Sequence, residues 1–436
     1  MDSRPIHGPA ATANRTPPVT SLTASALVKD FNGYPRRLWL ACFAAYVTVQ
    51  TELALWSMAL PSLRAEFALS NGEMGYLTGL TFALGGIMVV VLSTLADRFG
   101  RRLLLLIGTV AAAIFSGLHV VAAGIVVLAV ARTCAIGFSG LVFPSTCALV
   151  AEEAPPRIRG LMVGLLQVAV PVGWLVAAVT ASLVLESWGW RALFVAAVLG
   201  LPAALLVQRH VRESPLIGRA SHGSSRLASL FGAGLWRRTA PLFLAQGCFA
   251  LAYGGGFILM PLYLHDEFGF DAVEAGVLVA VANAMGLVGY LACGWIGEFH
   301  WTRRNTIVAG TFSAAVAFAS FALMPQTHVG VLVAYAVLTF FLLGTSAVKL
   351  PYIAELYPSR LRATGIAFVS SLAIHAGLAF GPAIVGALVD HAGWSFALVV
   401  GGALPLLLAS VLFLLLPPLP SGLEMDEIES RLRSGR

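Results

Sequence analysis

Two ten-residue segments decide how this chain is organised: Ala151-Glu152-Glu153-Ala154-Pro155-Pro156-Arg157-Ile158-Arg159-Gly160 and Ala354-Glu355-Leu356-Tyr357-Pro358-Ser359-Arg360-Leu361-Arg362-Ala363. Both read Ala-Glu, then proline, then Arg-x-Arg, and they stand 203 residues apart, counted from Glu152 to Glu355 or from Arg159 to Arg362. A second pairing sets Ser93-Thr94-Leu95-Ala96-Asp97-Arg98-Phe99-Gly100-Arg101-Arg102 beside Gly294-Trp295-Ile296-Gly297-Glu298-Phe299-His300-Trp301-Thr302-Arg303 at an offset of 201, and a third sets Gly189-Trp190 beside Gly393-Trp394 at 204. Three matches at nearly one offset point to an internal duplication.

The segments between these motifs are apolar. Of the 436 residues, 58% are hydrophobic and 11% charged, and the mean hydropathy is +0.86. Soluble domains carry roughly a quarter charged residues, so the composition is that of an integral membrane protein. About 20 apolar residues are needed to cross a bilayer as a helix. Twelve such runs lie at approximately 38–60, 74–95, 103–122, 125–150, 161–185, 192–209, 239–264, 274–296, 305–324, 329–354, 363–389 and 394–417. The expected architecture is an all-α membrane protein of twelve transmembrane helices in two six-helix repeats, 38–209 and 239–417, joined by a basic linker at 210–238. Residues 1–37 are rich in Pro, Thr, Ser and Ala and read as a disordered tail without a cleaved signal peptide. Residues 418–436 form a second short tail.

With an even number of spans both tails share one side. That side holds 23 Lys and Arg residues, whereas the opposite loops hold only Arg64 and Arg191. The bias predicts cytoplasmic termini in the bacterial type of inner membrane. The net charge of +6 is spread over short inter-span segments and forms no nucleic-acid-binding face. The five cysteines all fall inside apolar runs, so neither a disulfide framework nor a zinc site is expected. There is no GxxxxGK[ST] phosphate loop; the chain reads as neither an enzyme nor an ATP-driven pump, and no cofactor is expected.

The segment 93–102, Arg132 in span four (RTCAIGFSGLVFP, 132–144), AEEAPPRIRG after span four and Val211-Arg212-Glu213-Ser214-Pro215 after span six resemble the major facilitator superfamily. The resemblance runs from about 38 to 417 and implies a secondary carrier whose halves rock about a central site. It implies a gating network on the tail side of the membrane made of Asp97, Arg98, Gly100, Arg101, Arg102, Glu152, Arg159, Glu298, Glu355 and Arg362. Three departures stand out: Ser93 where the family has glycine, and Ile136 and Phe138 at positions resembling family glycines. Span five (Leu165 to Trp174) lacks the Gly-Pro pair followed by glycines found in the family's proton antiporters, which argues against export.

Charged groups inside spans are expensive and are functional candidates. Glu52 stands nine residues before Pro61, a spacing similar to that of family symporters for aromatic acids and related metabolites; their additional upstream aspartate corresponds here to Val49. Glu52 is either the proton-coupling group or a structural carboxylate. Arg132 resembles the family's intramembrane arginine and is expected to pair with Glu52, again either as part of coupling or as a static pair. Lys349 lies six residues before Glu355, about 9 Å deeper along its helix, where it either receives a substrate carboxylate or extends its stem to the interface. His375, Gln50, Gln167, Gln246, Asn283 and Tyr253 complete the substrate candidates, each with interhelical packing as the alternative. The glycines 254–256 that follow Tyr253 suit either a bending gate or close packing. The aromatic residues of the spans suit either a planar ligand or lipid.

The expectation is proton-coupled uptake of a small organic anion, an aromatic or other carboxylic acid, by a monomer with no nucleic-acid partner. The rival within the same superfamily is a proton-driven drug or metabolite exporter, against which the cations Arg132 and Lys349 argue. A sensor and a channel are disfavoured: neither tail holds a signalling domain, and no filter-like segment recurs.

Overall fold

In a computed structural model of the chain, the described residues are 30–93, 99–155, 158–213, 227–232, 234–323, 327–358 and 361–419, and every regular element among them is helical. Ten continuous stretches are long and apolar enough to span a bilayer. Eight are single spans: α1 Tyr34–Phe67, α2 Asn71–Ser93, α3 Arg101–Val121, α4 Ile125–Glu153, α7 Trp236–Phe268, α8 Ala272–Phe299, α9 Arg303–Leu323 and α10 His328–Leu356. The other two, Arg159–His210 and Thr364–Leu414, have 52 and 51 residues, more than twice what one crossing requires.

Each of those long stretches breaks at one glycine. Gly189 has φ 74° and ψ 173°, and Gly393 has φ 78° and ψ 170°. Only glycine reaches this backbone region at low cost, and the break folds each stretch into a helical hairpin. Its arms are α5 (159–188) and α6 (190–210) in one case, α11 (364–392) and α12 (394–414) in the other. Counting the arms separately brings the number of spans to the expected twelve. The Gly-Trp repeat read from the sequence is thus the same turn, built once in each half.

The first helix begins earlier than expected. It starts at Tyr34, inside the stretch assigned to a tail, because Pro35 in its first turn fits a helix start that needs no amide donor. Residues 1–29, 214–226 and 420–436, which hold most of the expected tails and linker, lie outside the described residues.

The halves meet along seams of small residues. Between α2 and α11, Gly75 lies against the carbonyl of Pro382 and Gly79 against that of Ala379, so closely that a β-carbon at either would sit 2.2 Å from the oxygen. Lipid tails are as apolar as leucine, so such backbone-level packing is what holds spans together. Large apolar side chains such as Ile87, Leu183 and Phe380 remain exposed on the outer surface, where the bilayer covers them. The bulk of Ile136 on α4 has a complement: it rests on Gly85 of α2, where a β-carbon would come within 2.6 Å of the isoleucine. The glycine is on the partner helix, and the contact stays tight.

Candidate functional site

The interior of the first half is organised around one ion pair. Glu52 of α1 and Arg132 of α4 are 5% and 0% exposed and bond through Arg132 Nη1 and Glu52 Oε1. The guanidinium lies 4.8 Å from the centroid of the Trp56 ring and 5.9 Å from that of Phe82. Its Nε and Nη2 have no hydrogen-bond partner among the described residues. The guanidinium therefore lies beside aromatic rings and is left partly unsatisfied among the described residues, an uncommon state for a buried cation.

A cavity of about 250 Å³ lies between the halves. Gln50 and Leu53 of α1, Phe143 of α4 and Gln167 of α5 line it from one side; Gln246, Phe249 and Tyr253 of α7, Ser346 and Lys349 of α10, and Ser370 of α11 line it from the other. Five of the seven substrate candidates, Gln50, Gln167, Gln246, Tyr253 and Lys349, meet there. Among the described residues Lys349 is the only charged one lining it; it is 6% exposed, with Nζ 2.9 Å above the centre of the Phe249 ring. No carboxylate among the described residues pairs with it. The ammonium does not reach along its stem to the interface. The side-chain oxygens of Gln167 and Gln246 are buried and have no hydrogen-bond partner among the described residues.

Glu52 and Arg132 do not line this cavity with Lys349. At about 100° per residue, Glu52 points some 200° around α1 from Gln50, so Gln50 and Leu53 face the cavity and Glu52 faces the interior of its own half. The two other substrate candidates also lie elsewhere. Asn283 is fully buried on α8, its amide donating to the Val279 carbonyl at 2.9 Å. His375 packs on Gly86 of α2, with Nδ1 2.9 Å from Ser371 O. It borders a groove of about 750 Å³ whose wall carries exposed Tyr76, Leu80, Ile87 and Phe380. That groove belongs to the lipid-facing surface. Residues 253–257 form a π-helical turn. Gly254 fits against Pro382, Gly255 against Gly381 and Gly256 against Phe318, so the glycine run serves close packing.

The tail-side motifs form two copies of one arrangement. Arg101 pairs with Glu152 in the first half, and Arg303 with Glu355 in the second. Glu152 and Glu355 are equivalent positions of the repeat, whereas Arg303 stands opposite Arg102, so the partnering arginine is shifted by one residue between the halves. Arg303 also binds Glu298 at 2.7 Å. Gly100 has φ 91° and approaches the Glu213 carboxylate so closely that a β-carbon would lie 2.7 Å from it. Glu213 accepts the Arg102 amide at 3.0 Å, and the Arg102 guanidinium donates to Gln208 O at 2.8 Å. Glu213 thus supplies the carboxylate favoured at the start of α3. Arg159 donates to Ala154 O at 3.4 Å, and Arg362 lies just before α11. Asp97 and Arg98 lie outside the described residues.

At the far end the halves are bridged by polar groups at the helix ends. Arg64 of α1 holds Asp266 of α7 with two bonds of 2.5 and 2.7 Å and reaches Asn71 at 2.6 Å. Asp390 of α11 accepts the backbone amides of Asn71 and Gly72 at 3.1 and 2.8 Å, capping α2 from the other half. Trp190 and Trp394, the tryptophans after the hairpin glycines, donate to Glu66 at 2.7 Å and to Asp266 at 3.1 Å. The paired Gly-Trp motif was the signal pointing here; the carboxylates had none.

Residues 38–351 match the Major Facilitator Superfamily. A probable 4-methylmuconolactone transporter of Cupriavidus pinatubonensis is 26% identical over 361 residues, 78% of this chain and 82% of that protein. The niacin transporter NiaP of Acinetobacter baylyi is 26% identical over 75% of this chain and 81% of its own length. The gentisate transporter of Corynebacterium glutamicum is 26% identical over 73% of each. Among solved structures, a D-xylose-proton symporter superposes with a TM-score of 0.73 at 18% identity, covering 88% of this chain and 99% of that one. A two-repeat helical bundle, a cavity between its halves and a family match over most of its length make this chain a multi-pass transporter, not an enzyme, of the Major Facilitator Superfamily.

Proposed function

We propose that this carrier takes up a small organic anion, an aromatic or other carboxylic acid, together with a proton, across the inner membrane, with both termini in the cytoplasm. The observation that carries the reading is Lys349: a buried ammonium without a carboxylate partner among the described residues, in a cavity that otherwise offers amides, hydroxyls and the rings of Phe143, Phe249 and Tyr253. An unneutralised charge at that depth is costly, and an anionic substrate would neutralise it. A lipophilic cation would meet repulsion. Relatives named for gentisate, niacin and cis,cis-muconate transport support the same class. Bridging of the halves at the far end fits a conformation closed to the outside.

Glu52 and Arg132 suit the coupling role. Each is sealed from the substrate, and the pair leaves two guanidinium donors unsatisfied, so protonating Glu52 would release Arg132 to new partners. The reading is tested by reconstituting the full chain in liposomes and measuring uptake of radiolabelled gentisate, niacin and cis,cis-muconate with and without an inward proton gradient. Gradient-driven accumulation of at least one acid, lost in Lys349→Ala, is expected. Extrusion of lipophilic cations with no acid uptake would replace this reading with the exporter.

A further inference from the structure

The face of α1 that carries Glu52 is not solid. A separate cavity of about 10 Å³ opens beside Glu52, bounded by Thr48 and Glu52 of α1, Thr109 and Ser116 of α3, and Ala197 and Gly200 of the α6 segment. Small residues create the space: a β-carbon at Gly200 would lie 2.6 Å from that of Ala113. The volume is about that needed for one water molecule.

The polar groups around it have unused capacity. Ser116 is fully buried, and its hydroxyl has no hydrogen-bond partner among the described residues. Thr48 and Thr109 donate their hydroxyl protons to Ala45 O and Leu105 O, each at 2.8 Å, which leaves their oxygens free to accept. Glu52 uses Oε1 toward Arg132, and a carboxylate offers about four acceptor sites in all. A water placed here finds one donor and several acceptors, whereas an empty polar cavity would leave Ser116 unsatisfied.

We propose that this cavity holds one ordered water bonded to Ser116 and Glu52, and that Glu52 takes up and releases its proton through that water, on the face of α1 turned away from the substrate cavity. Proton and substrate then reach the carrier's centre by different routes. In the uptake step the water gives one proton to the Glu52 carboxylate and regains one from the Ser116 hydroxyl, which is reprotonated by bulk water admitted as the half opens, so one solvent proton ends on Glu52 and only O–H bonds form and break. The charged and titratable groups surrounding Glu52 are Arg132 from α4 and, one turn beyond Ser116 on α3, His119. The latter stacks on Phe194 at 4.4 Å and lies edge-on to Trp56 at 5.9 Å. The nearby wall of α2 contributes Phe82, and α6 contributes Ala197 and Gly200.

The inference rests on the reading of Glu52 as the coupling group, and the test separates the two. Infrared difference spectra of the full chain in lipid, recorded between acid and alkaline buffer, isolate a carboxyl band that is lost in Glu52→Gln. That band is expected to shift upward in Ser116→Ala and in Thr109→Val, each of which removes one hydroxyl, and to stay in place in Gln167→Ala on the substrate side. A band that ignores both hydroxyl variants, or that moves with Gln167→Ala, overturns the water route and leaves the coupling role standing. Absence of any band lost in Glu52→Gln overturns both.

Discussion

Arg64 grips both carboxylate oxygens of Asp266 across the two halves, a fork-to-fork contact made at the end of α1 opposite Tyr34. Both partners are partly exposed, at 21% and 16%, so the pair is worth about 1 kcal/mol, more than a single-pronged surface bridge because it is bidentate. An energy of that size suits a latch that must open in every cycle. Asp266→Asn is expected to raise maleimide labelling of Ser62→Cys, which lines a far-end crevice beside α7, about fivefold. Unchanged labelling would show that the seam of α2 and α11 holds the end closed without it.

The hairpin glycines predict a loss of stability with a known origin. At Gly189 and Gly393 nothing lies within 4 Å of an added β-carbon, so Gly189→Ala and Gly393→Ala each cost backbone strain alone, about 1–3 kcal/mol. Gly100→Ala also collides with Glu213 and so disturbs the cap on α3. Thermal unfolding in detergent should rank Gly100→Ala below the other two.

These turns also show what the sequence could and could not disclose. Gly189-Trp190 and Gly393-Trp394 were legible because the repeat marked them, and the apolar runs were legible because a bilayer demands a length. Glu52 with Arg132 was legible because charge inside a span is rare. The polar residues of the cavity were only half legible: Gln50 and Lys349 face it, while Asn283 and His375 sit on helix faces that no single-sequence pattern distinguishes in a span apolar all round. Asp266 and Asp390 were missed for another reason. A carboxylate near a loop is ordinary until the fold shows that it caps or clasps the opposite half.

Lys349 should trade stability for function. Burying an ammonium in a span costs about 2.5–3.5 kcal/mol, and the Phe249 face returns about 2 kcal/mol of that. Lys349→Met is therefore expected to stabilise the unliganded protein by about 1 kcal/mol. The same variant should lose the stabilisation that an acid substrate gives, about 2.7 kcal/mol at 100 times its Kd. Thermal unfolding with and without gentisate, niacin and cis,cis-muconate reads both effects. A destabilised variant that still responds to an acid would move the anion contact away from Lys349.

The Glu52 and Arg132 pair predicts strong non-additivity. Removing one partner leaves the other charge buried without its counterion, at a cost of about 3–5 kcal/mol. Arg132→Met or Glu52→Gln alone should lower stability by that order, while the double variant, with neither charge remaining, should recover most of it. A static pair and a coupling pair share this stability cycle, so transport must separate them. If the pair is only structural, the double variant regains proton-driven uptake along with its fold. If Glu52 carries the proton, the refolded double variant still exchanges labelled acid across the membrane at equal concentrations, yet no longer accumulates it against a gradient.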